Sequence, residues 1–212
     1  MSKGRAEAVR LVPLADCAAV LPGFSIHGGL KHDPHATHQV VRTRHLTEGV
    51  PYSYRDEDEF KIAPGRETAN YELRAGDVLF MSRGTRNLAW VVKDVPDPSI
   101  APVSFYILRP AGGIDSRYLA WYLNQPPVQA GIDQIRTGAG TPIVQRNGFE
   151  RLEVVLPPVA VQREIADLSE LMARERDLRR RLGDAAERAQ AAIGRQIIEK
   201  LSAGAGAGAK RS

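Results

Sequence analysis

A change of pattern at Pro157-Pro158 constrains the fold of this chain more than any other feature of the sequence. Upstream, apolar runs of about five to seven residues are separated by glycine and proline, a pattern typical of β-strands. Downstream, no proline follows Val159, and apolar residues recur every three or four positions among Arg, Glu and Ala. The sequence therefore predicts an α+β architecture, with a mixed domain at residues 1–158 and one long helix at 159–201.

The apolar runs upstream of residue 158 predict the strands of this mixed domain. The predicted strands are "QVVRTRHL", "GDVLFMS", "LAWVVKDV", "SFYILRP" and "LEVVLPP". Between the last two, "DSRYLAWYL" has helical spacing and begins at a favourable capping residue, Asp115 or Ser116. We expect that helix to stop at Pro126-Pro127.

The long helix carries an apolar stripe along one face. Its members are Ile165, Leu168, Leu171, Leu178, Leu182, Ile193, Ile197 and Leu201. A helix of this length that extends beyond a compact domain needs a partner, so we expect a coiled-coil-like dimerisation and docking helix. The final segment, "SAGAGAGAKRS" at 202–212, has the composition of a flexible tail.

Local charge indicates a contact with an anionic partner more clearly than the net charge of +4 does. Contacts with phosphate need basic segments that acidic residues do not neutralise. Two acid-free segments meet this condition, Met81–Lys93 and Gln134–Phe149, and a third basic group surrounds His45. The candidate DNA-binding residues in these three places are Arg42, Arg44, Arg83, Arg86, Lys93, Arg136 and Arg146.

Composition also bears on the compartment. No segment approaches the run of about 20 apolar residues that a membrane span needs, and the N-terminal residues do not have the apolar block of a secretory peptide. The single cysteine, Cys17, allows neither an internal disulfide nor a cysteine-based zinc cluster. We expect a cytoplasmic protein without a membrane partner.

Motifs for catalysis and for cofactors fail when they are tested one at a time. Ser82 lies in "FMSRG", where Phe80 replaces the first glycine of a G-x-S-x-G nucleophile elbow. "RTGAGTP" has neither the third glycine of a dinucleotide fingerprint nor the Gly-Lys-Ser/Thr of a phosphate loop. We therefore expect no catalytic residue and no cofactor.

Two further patterns come closer to a functional motif. "NQPPV", from Asn124 to Val128, is similar to the Asn-Pro-Pro-aromatic motif of amino-group DNA methyltransferases, but Gln125 interrupts it and Val128 replaces the aromatic residue. The histidine-rich segment "SIHGGLKHDPHATH" is interpreted as a solvated, pH-sensitive loop, because Pro34 breaks the helix that would align its side chains on a metal. No metal site is expected.

Taken in order, "LRAGDVLFMSRGT" and the segment from "YLAWYLNQPPV" to "SELMARERDL" resemble the target-recognition domain and following helix of specificity subunits from type I restriction-modification systems. The resemblance covers roughly residues 9 to 200. The elements that carry it are Gly76-Asp77, Arg83-Gly84-Thr85, Tyr118-Leu119, Gly138 to Pro142, and Leu156-Pro157-Pro158 followed by Gln162.

The resemblance implies a non-catalytic subunit that binds double-stranded DNA in a sequence-specific manner. Such a subunit positions a methyltransferase (modification) subunit and often a restriction/translocase subunit. Members of the family usually carry two recognition domains and two helices, whereas this chain has one of each. The resemblance therefore implies either a half-subunit that pairs as a homodimer or a truncated or divergent relative.

Two alternatives remain open at the level of the sequence. The chain is alternatively a protein-interaction adaptor or inhibitor that mimics a specificity subunit and docks on the methylase without reading DNA; neighbouring methylase and nuclease genes would favour the first reading. Arg83 follows a strand and precedes Gly84, a geometry suited to a phosphate or a guanine edge. The same arginine is alternatively a structural residue of the turn.

Overall fold

The structure is a computed structural model that describes residues 8–25 and 31–208, with side chains as far as Glu199. Its strands are β1 (Arg10–Pro13), β2 (Ala18–Pro22), β3 (His38–Val40), β4 (Tyr52–Ser53), β5 (Lys61–Ile62), β6 (Val78–Met81), β7 (Ala89–Asp94), β8 (Ser99–Ile100), β9 (Phe105–Pro110), β10 (Arg136–Thr137), β11 (Ile143–Val144) and β12 (Glu153–Leu156). Its α-helices are α1 (Leu14–Cys17), α2 (Ser116–Leu123), α3 (Pro126–Gln134), α4 (Arg146–Glu150) and α5 (Val159–Gly208). Short 3-10 turns occupy Thr43–His45, Asp56–Asp58 and Ala69–Tyr71. The predicted α+β class with a long C-terminal helix is confirmed.

A five-stranded sheet with the order β2-β9-β6-β7-β4 forms the centre of the domain. Its strands are antiparallel except for β4, which runs parallel to β7. All four residues of β6 are buried, because the sheet is covered on both faces. This double coverage explains why the central strands read in the sequence as continuous apolar runs and not as an alternation.

Each face of the central sheet has its own hydrophobic core. Phe80 points to the face that is covered by α2, α3 and α4, where its ring stacks on Phe149 with centroids 4.2 Å apart. Leu79 and Trp90 point to the opposite face and pack with Val41 and other residues of the irregular segments. The sheet therefore holds its loops between two packed layers.

Three smaller sheets complete the domain. The order β5-β3-β8 forms one, and the antiparallel pairs β10-β11 and β1-β12 form the others. The pair β10-β11 encloses residues 138–142, so the Gly-rich segment is a hairpin loop. This hairpin brings the loop to the end of β6.

One local prediction differs from the structure, and one helix was not predicted. In "QVVRTRHL" the strand ends at Val40, and the following basic residues form a 3-10 turn because the carbonyl groups of Arg42 and Thr43 accept local hydrogen bonds from His45 and Leu46. A second helix, α3, begins at Pro126 after α2 has ended. Proline suits the first position of a helix, where its missing N–H costs no hydrogen bond.

Helix α5 belongs to both of the compact units into which the chain divides. One unit extends to Glu170 and the other begins at Leu171. The helix ends at Gly208; residues 209–212 of the predicted tail, His27 and the side chain of Leu201 lie outside the described part of the chain. None of the helices in residues 8–25 and 31–208 combines the length and the hydropathy that crossing a bilayer requires.

Candidate nucleic-acid interface

The turn that follows β6 lies against the loop of the β10-β11 hairpin. The backbone N–H of Val144 donates to the Ser82 carbonyl at 2.8 Å, and the N–H of Gly84 donates to the Pro142 carbonyl at 2.8 Å. Arg83 pairs between them with Ile143 as an isolated antiparallel bridge. The two acid-free segments of the sequence are therefore neighbours in space, and we name residues 82–86 and 138–142 together the paired loops.

Glycine gives the paired loops their backbone shape. Gly84 has a φ of +100° and Gly138 a φ of +108°, both in the left-handed region that side chains with a Cβ rarely adopt. A Cβ at Gly84 would meet no atom within 4 Å, so the space above the turn is open. The Arg-Gly-Thr and Gly-x-Gly-Thr-Pro patterns thus reflect backbone conformation and an accessible surface.

Side chains brace the β6-β7 loop from behind. The amide of Asn87 donates to the Met81 carbonyl, and the amide of Gln129 on α3 donates to the Asn87 carbonyl, each at 2.8 Å. Arg136 donates to the Thr85 carbonyl at 3.0 Å. These bonds satisfy three carbonyl groups of the loop and hold its backbone in one conformation. Sequence reasoning missed Asn87 and Gln129, since no local pattern marks a partner 42 residues away.

Asn124, from the segment that is similar to the methyltransferase motif, has a structural role. Its Oδ1 accepts from the N–H of Ala89 and its Nδ2 donates to the carbonyl of the same residue, both at 2.8 Å. The side-chain amide thereby pairs with β7 as a neighbouring strand would. This pair explains the presence of the asparagine without a target base.

Arg83 and Arg86 differ in their surroundings although the same turn carries both. Arg83 is exposed and forms no ion pair within residues 8–25 and 31–208. Arg86 is also exposed, but its Nη2 lies 2.5 Å from Oε2 of Glu48. The acid-free segment around Arg86 is therefore neutralised by a residue that is distant in the sequence.

Arg136 and Arg146 are also paired with acids. Arg136 bonds to Asp133 at 3.0 Å and to the backbone of the β6-β7 loop, as described above. Arg146 bonds to Glu150 at 2.7 Å across one turn of α4. Both side chains lie beside the paired loops, but each is bonded to an acidic residue of the protein itself.

Tyr106 lies next to the hairpin strand β11. Its hydroxyl donates to the Val144 carbonyl at 2.8 Å. Burial raises the pKa of Tyr106; the positive charges of Arg146 and Arg83 act in the opposite direction, and the negative charge of Glu150 acts in the same direction as burial.

Lys93 does not share this surface. The N–H of Val92 donates to the carbonyl of Asp77, which places Lys93 beside the start of β6, whereas Arg83 follows its end. At about 3.3 Å per residue the two lie roughly 20 Å apart. Lys93 instead lines an open cleft of about 440 Å³ together with Arg117 and Arg163.

The turn that contains Arg44 and His45 is connected to the β6-β7 hairpin through the residues that follow it. Trp90 on β7 donates from Nε1 to the Thr47 carbonyl at 3.0 Å, and the next residue, Glu48, holds Arg86. These two contacts join the residues that follow the third basic segment to β7 and to Arg86. Four of the seven candidate residues, Arg83, Arg86, Arg136 and Arg146, thus lie in or next to the paired loops.

The Gly-Asp pair before β6 has a structural explanation. Asp77 is buried and accepts two hydrogen bonds from Arg109, at 2.9 Å from Nε and 2.8 Å from Nη2. It also accepts the backbone N–H of Arg74 at 2.9 Å. This bidentate pair ties the turn to β9 and leaves Asp77 no surface for a ligand.

Ser82, His38 and His32 each form a hydrogen bond within the domain. The Ser82 hydroxyl is buried and donates to the Ser104 carbonyl at 2.9 Å. His38 bonds to Thr68 at 2.8 Å, and His32 accepts from the N–H of Lys61 at 3.1 Å. Within the part of the chain that the structure describes, no cluster of His, Cys, Asp or Glu has the composition of a metal site.

The apolar stripe of α5 is largely exposed. Ile165 is half-buried, and the exposed fractions of the other members with described side chains lie between 53% and 72%. They are Leu168, Leu171, Leu178, Leu182, Ile193 and Ile197, with Met172 beside them. By contrast, Gln162 in the first turns is 1% exposed and bonds within the domain.

No protein-family model matches the sequence, and no curated protein matches it. Solved structures match in fold. A chain of a type I R-M system, solved in connection with complex assembly and conformational transition, shares 15% identity and a TM-score of 0.58 over 81% of this chain and 40% of its own. The HsdS subunit from Thermoanaerobacter tengcongensis shares 17% identity and a TM-score of 0.55 over 81% and 39%. The S subunit of a type I restriction-modification system from M. genitalium shares 9% identity and a TM-score of 0.51 over 78% and 39%.

This chain spans about 40% of the length of the solved structures that it matches. The match includes most of the chain, so it is not confined to one common supersecondary element. The fold of this chain is therefore that of the specificity subunits of type I restriction-modification systems.

Proposed function

We propose that the chain is a sequence-specific DNA-binding specificity subunit of a type I restriction-modification complex, and that it acts as a half-subunit that reads one half of a bipartite site. The observation that carries this proposal is the meeting of the two acid-free segments in the paired loops. Arg83 stands there on a braced loop, exposed and without an acidic partner among the described residues. An arginine held in this way suits a phosphate or a base edge of duplex DNA.

In this role the chain performs no catalytic step. It positions the methyltransferase subunit, and in complexes that contain one the restriction/translocase subunit, on a defined sequence. Rigid presentation of the DNA-contacting loops serves this purpose, because an ordered loop loses little conformational entropy when it binds.

The apolar stripe of α5 pairs two copies of the chain, and the second copy supplies the recognition domain for the other half of the site. Burial of a Leu or Ile side chain stabilises by about 1.5–3 kcal/mol, and the stripe from Leu168 to Ile197 presents several such side chains in line. Two copies that pair antiparallel through this stripe are related by a two-fold axis. The site that they read is then an inverted repeat with a spacer of fixed length.

The test combines oligomeric state with site selection from random duplexes. Leu178→Glu with Leu182→Glu puts charge on side chains that are already 61% and 72% exposed, so the recognition domain stays folded. We expect light scattering to show a dimer for the wild type and a monomer for this variant. Selection should recover inverted repeats with the wild type and none with the variant.

Ala191→Glu is the matched control. Ala191 is exposed on the same helix, nine residues from Leu182 and thus half a turn around the helix from it. It should leave both the dimer and the selected site unchanged. A wild-type monomer that binds a non-palindromic site with full affinity would rule out the half-subunit, and a wild type that binds no duplex would rule out the DNA-binding function.

A further inference from the structure

Hydrogen-bond donors crowd around a single imidazole in the turn Thr43–His45. The backbone N–H of Arg42 points at Nδ1 of His45 at 3.3 Å. The Nε atoms of Arg42 and Arg44 both lie 3.3 Å from Nε2 of the same ring. Three N–H groups from two arginines therefore face two ring nitrogens.

This arrangement contains more donors than acceptors. A neutral imidazole carries a hydrogen on one nitrogen and can accept only at the other. If Nδ1 accepts from Arg42, then Nε2 bears the hydrogen and faces two guanidinium N–H groups. The other tautomer sets Nδ1–H against the backbone N–H of Arg42, so in either tautomer at least one donor faces another donor.

Positive charge also outweighs negative charge at the turn, where Asp58 is the acidic group that acts on Arg42 and His45. Neither Arg42 nor Arg44 forms an ion pair within residues 8–25 and 31–208, and Nη2 of Arg42 is shielded from solvent without a hydrogen-bond partner. Burial, followed by the charge of Arg44, lowers the pKa of Arg42, and the charge of Asp58 only partly opposes this. The turn is thus poised for an anion with several acceptor atoms.

The position of Arg42 is fixed by an aromatic ring. Its guanidinium carbon lies 3.6 Å from the centroid of Phe60, within the range of a cation–π contact. This contact holds the guanidinium beside His45, while Arg44 remains exposed to solvent. The contact therefore orders Arg42 next to His45 before any ligand binds.

We propose that Arg42, Arg44 and His45 form a binding site for a backbone phosphodiester of duplex DNA, with Arg44 and the accessible edge of Arg42 donating to the non-bridging oxygens. The proposal rests on the proposed DNA-binding function and adds His45 to its residues. The residues that follow this turn, Thr47 and Glu48, contact Trp90 and Arg86, so a short segment connects the site to the β6-β7 hairpin. Two guanidinium groups around one anion match the geometry of a phosphate and carry no base information, so the site sets register and not sequence.

The first test compares DNA binding by Arg44→Gln, Arg44→Lys and the wild type between about 50 and 200 mM salt. Loss of one phosphate contact lowers the slope of log K against log salt by about 0.9, and the affinity falls roughly fivefold to tenfold at 0.1 M salt. The loss should be equal for a selected site and an unrelated duplex. Arg44→Lys should recover most of the slope, and the control Arg74→Gln, another exposed arginine, should match the wild type.

The second test follows the imidazole by NMR. Burial lowers the pKa of His45 in the free protein, Asp58 opposes this, and Arg42 and Arg44 add to it. A phosphate at the site favours the imidazolium, so saturating duplex should raise the pKa of His45 in the wild type and much less in Arg44→Gln.

The outcomes separate this site from the proposed function. A wild type that binds duplex while Arg44→Gln keeps its affinity and salt slope would overturn the phosphate site alone. An equal pKa of His45 with and without duplex would overturn it as well. A wild type that binds no duplex at all would remove the proposed function and this site with it.

Discussion

The side-chain oxygen of Gln162 on α5 accepts a hydrogen bond from the backbone N–H of Asp115, the residue that caps α2, at 2.9 Å. The amide nitrogen of the same side chain donates to the carbonyls of Pro157 and Gly113, at 2.8 and 3.3 Å. One buried side chain thus joins the start of the long helix to the loop before α2. This explains physically why a glutamine follows the Leu-Pro-Pro segment at this spacing.

Replacing Gln162 with alanine should destabilise the domain. The change leaves the Asp115 N–H and two carbonyls without their partner, and an unsatisfied buried polar group costs about 1–3 kcal/mol. We expect the urea midpoint to fall while the slope of the unfolding transition stays the same. Gln190→Ala, an exposed glutamine on the same helix, is the control, and equal midpoints for the two variants would refute the assigned role.

Alanine variants of Arg83 and Arg136 should have different effects. The first should weaken duplex binding, and the second should lower the free energy of unfolding. Arg83→Ala removes an exposed, unpaired charge, so we expect weaker duplex binding, a salt slope lower by about 0.9 and an unchanged thermal transition. Arg136→Ala removes the bond to the Thr85 carbonyl and the pair with Asp133, so we expect a loss of about 1–3 kcal/mol in the free energy of unfolding.

Binding isotherms and calorimetry on the two variants check this separation. If Arg83 reads a base, its removal should also relax the selected sequence at one position, whereas a phosphate contact weakens all duplexes alike. A large loss of stability in Arg83→Ala would show that the arginine holds the turn together and does not contact DNA.

The carboxyl group of Asp115 should make the free energy of unfolding depend on pH at acidic pH. Burial acts to raise the pKa of this carboxyl, but hydrogen bonds from the side chain and backbone of Arg117 outweigh it, so the pKa lies below the ordinary value. A carboxylate with a lowered pKa in the folded state contributes stability that is present above its unfolded pKa of about 3.9 and is lost as pH falls through the folded value. Protonation therefore weakens the α2 cap and its pair with Arg117.

The variant Asp115→Asn tests this dependence, because asparagine still caps a helix but carries no charge. The wild type should be the more stable of the two at neutral pH, and the difference should shrink as pH falls below about 4. Urea midpoints between pH 3 and pH 7 measure it. A difference that is constant over this range would contradict the role of the charge.

The sequence by itself determined the parts of this protein that depend on local periodicity. The runs from Val78 to Met81 and from Phe105 to Pro110 are strands, and the pattern after Pro158 is a helix, because backbone geometry repeats on the scale of a few residues and side-chain type follows it. The order of motifs also indicated the fold.

Tertiary structure alone decided which of the basic residues are free of partners within the protein and thus available to contact DNA. Arg86 and Glu48 are 38 residues apart, and Arg136 reaches a carbonyl 51 residues away, so a segment without acids in the sequence acquires partners only when the chain folds. The 3-10 turn that draws Arg42 and Arg44 onto His45 likewise replaced an expected strand. Charge acts through space, and the distances that govern it are set by packing and not by position along the chain.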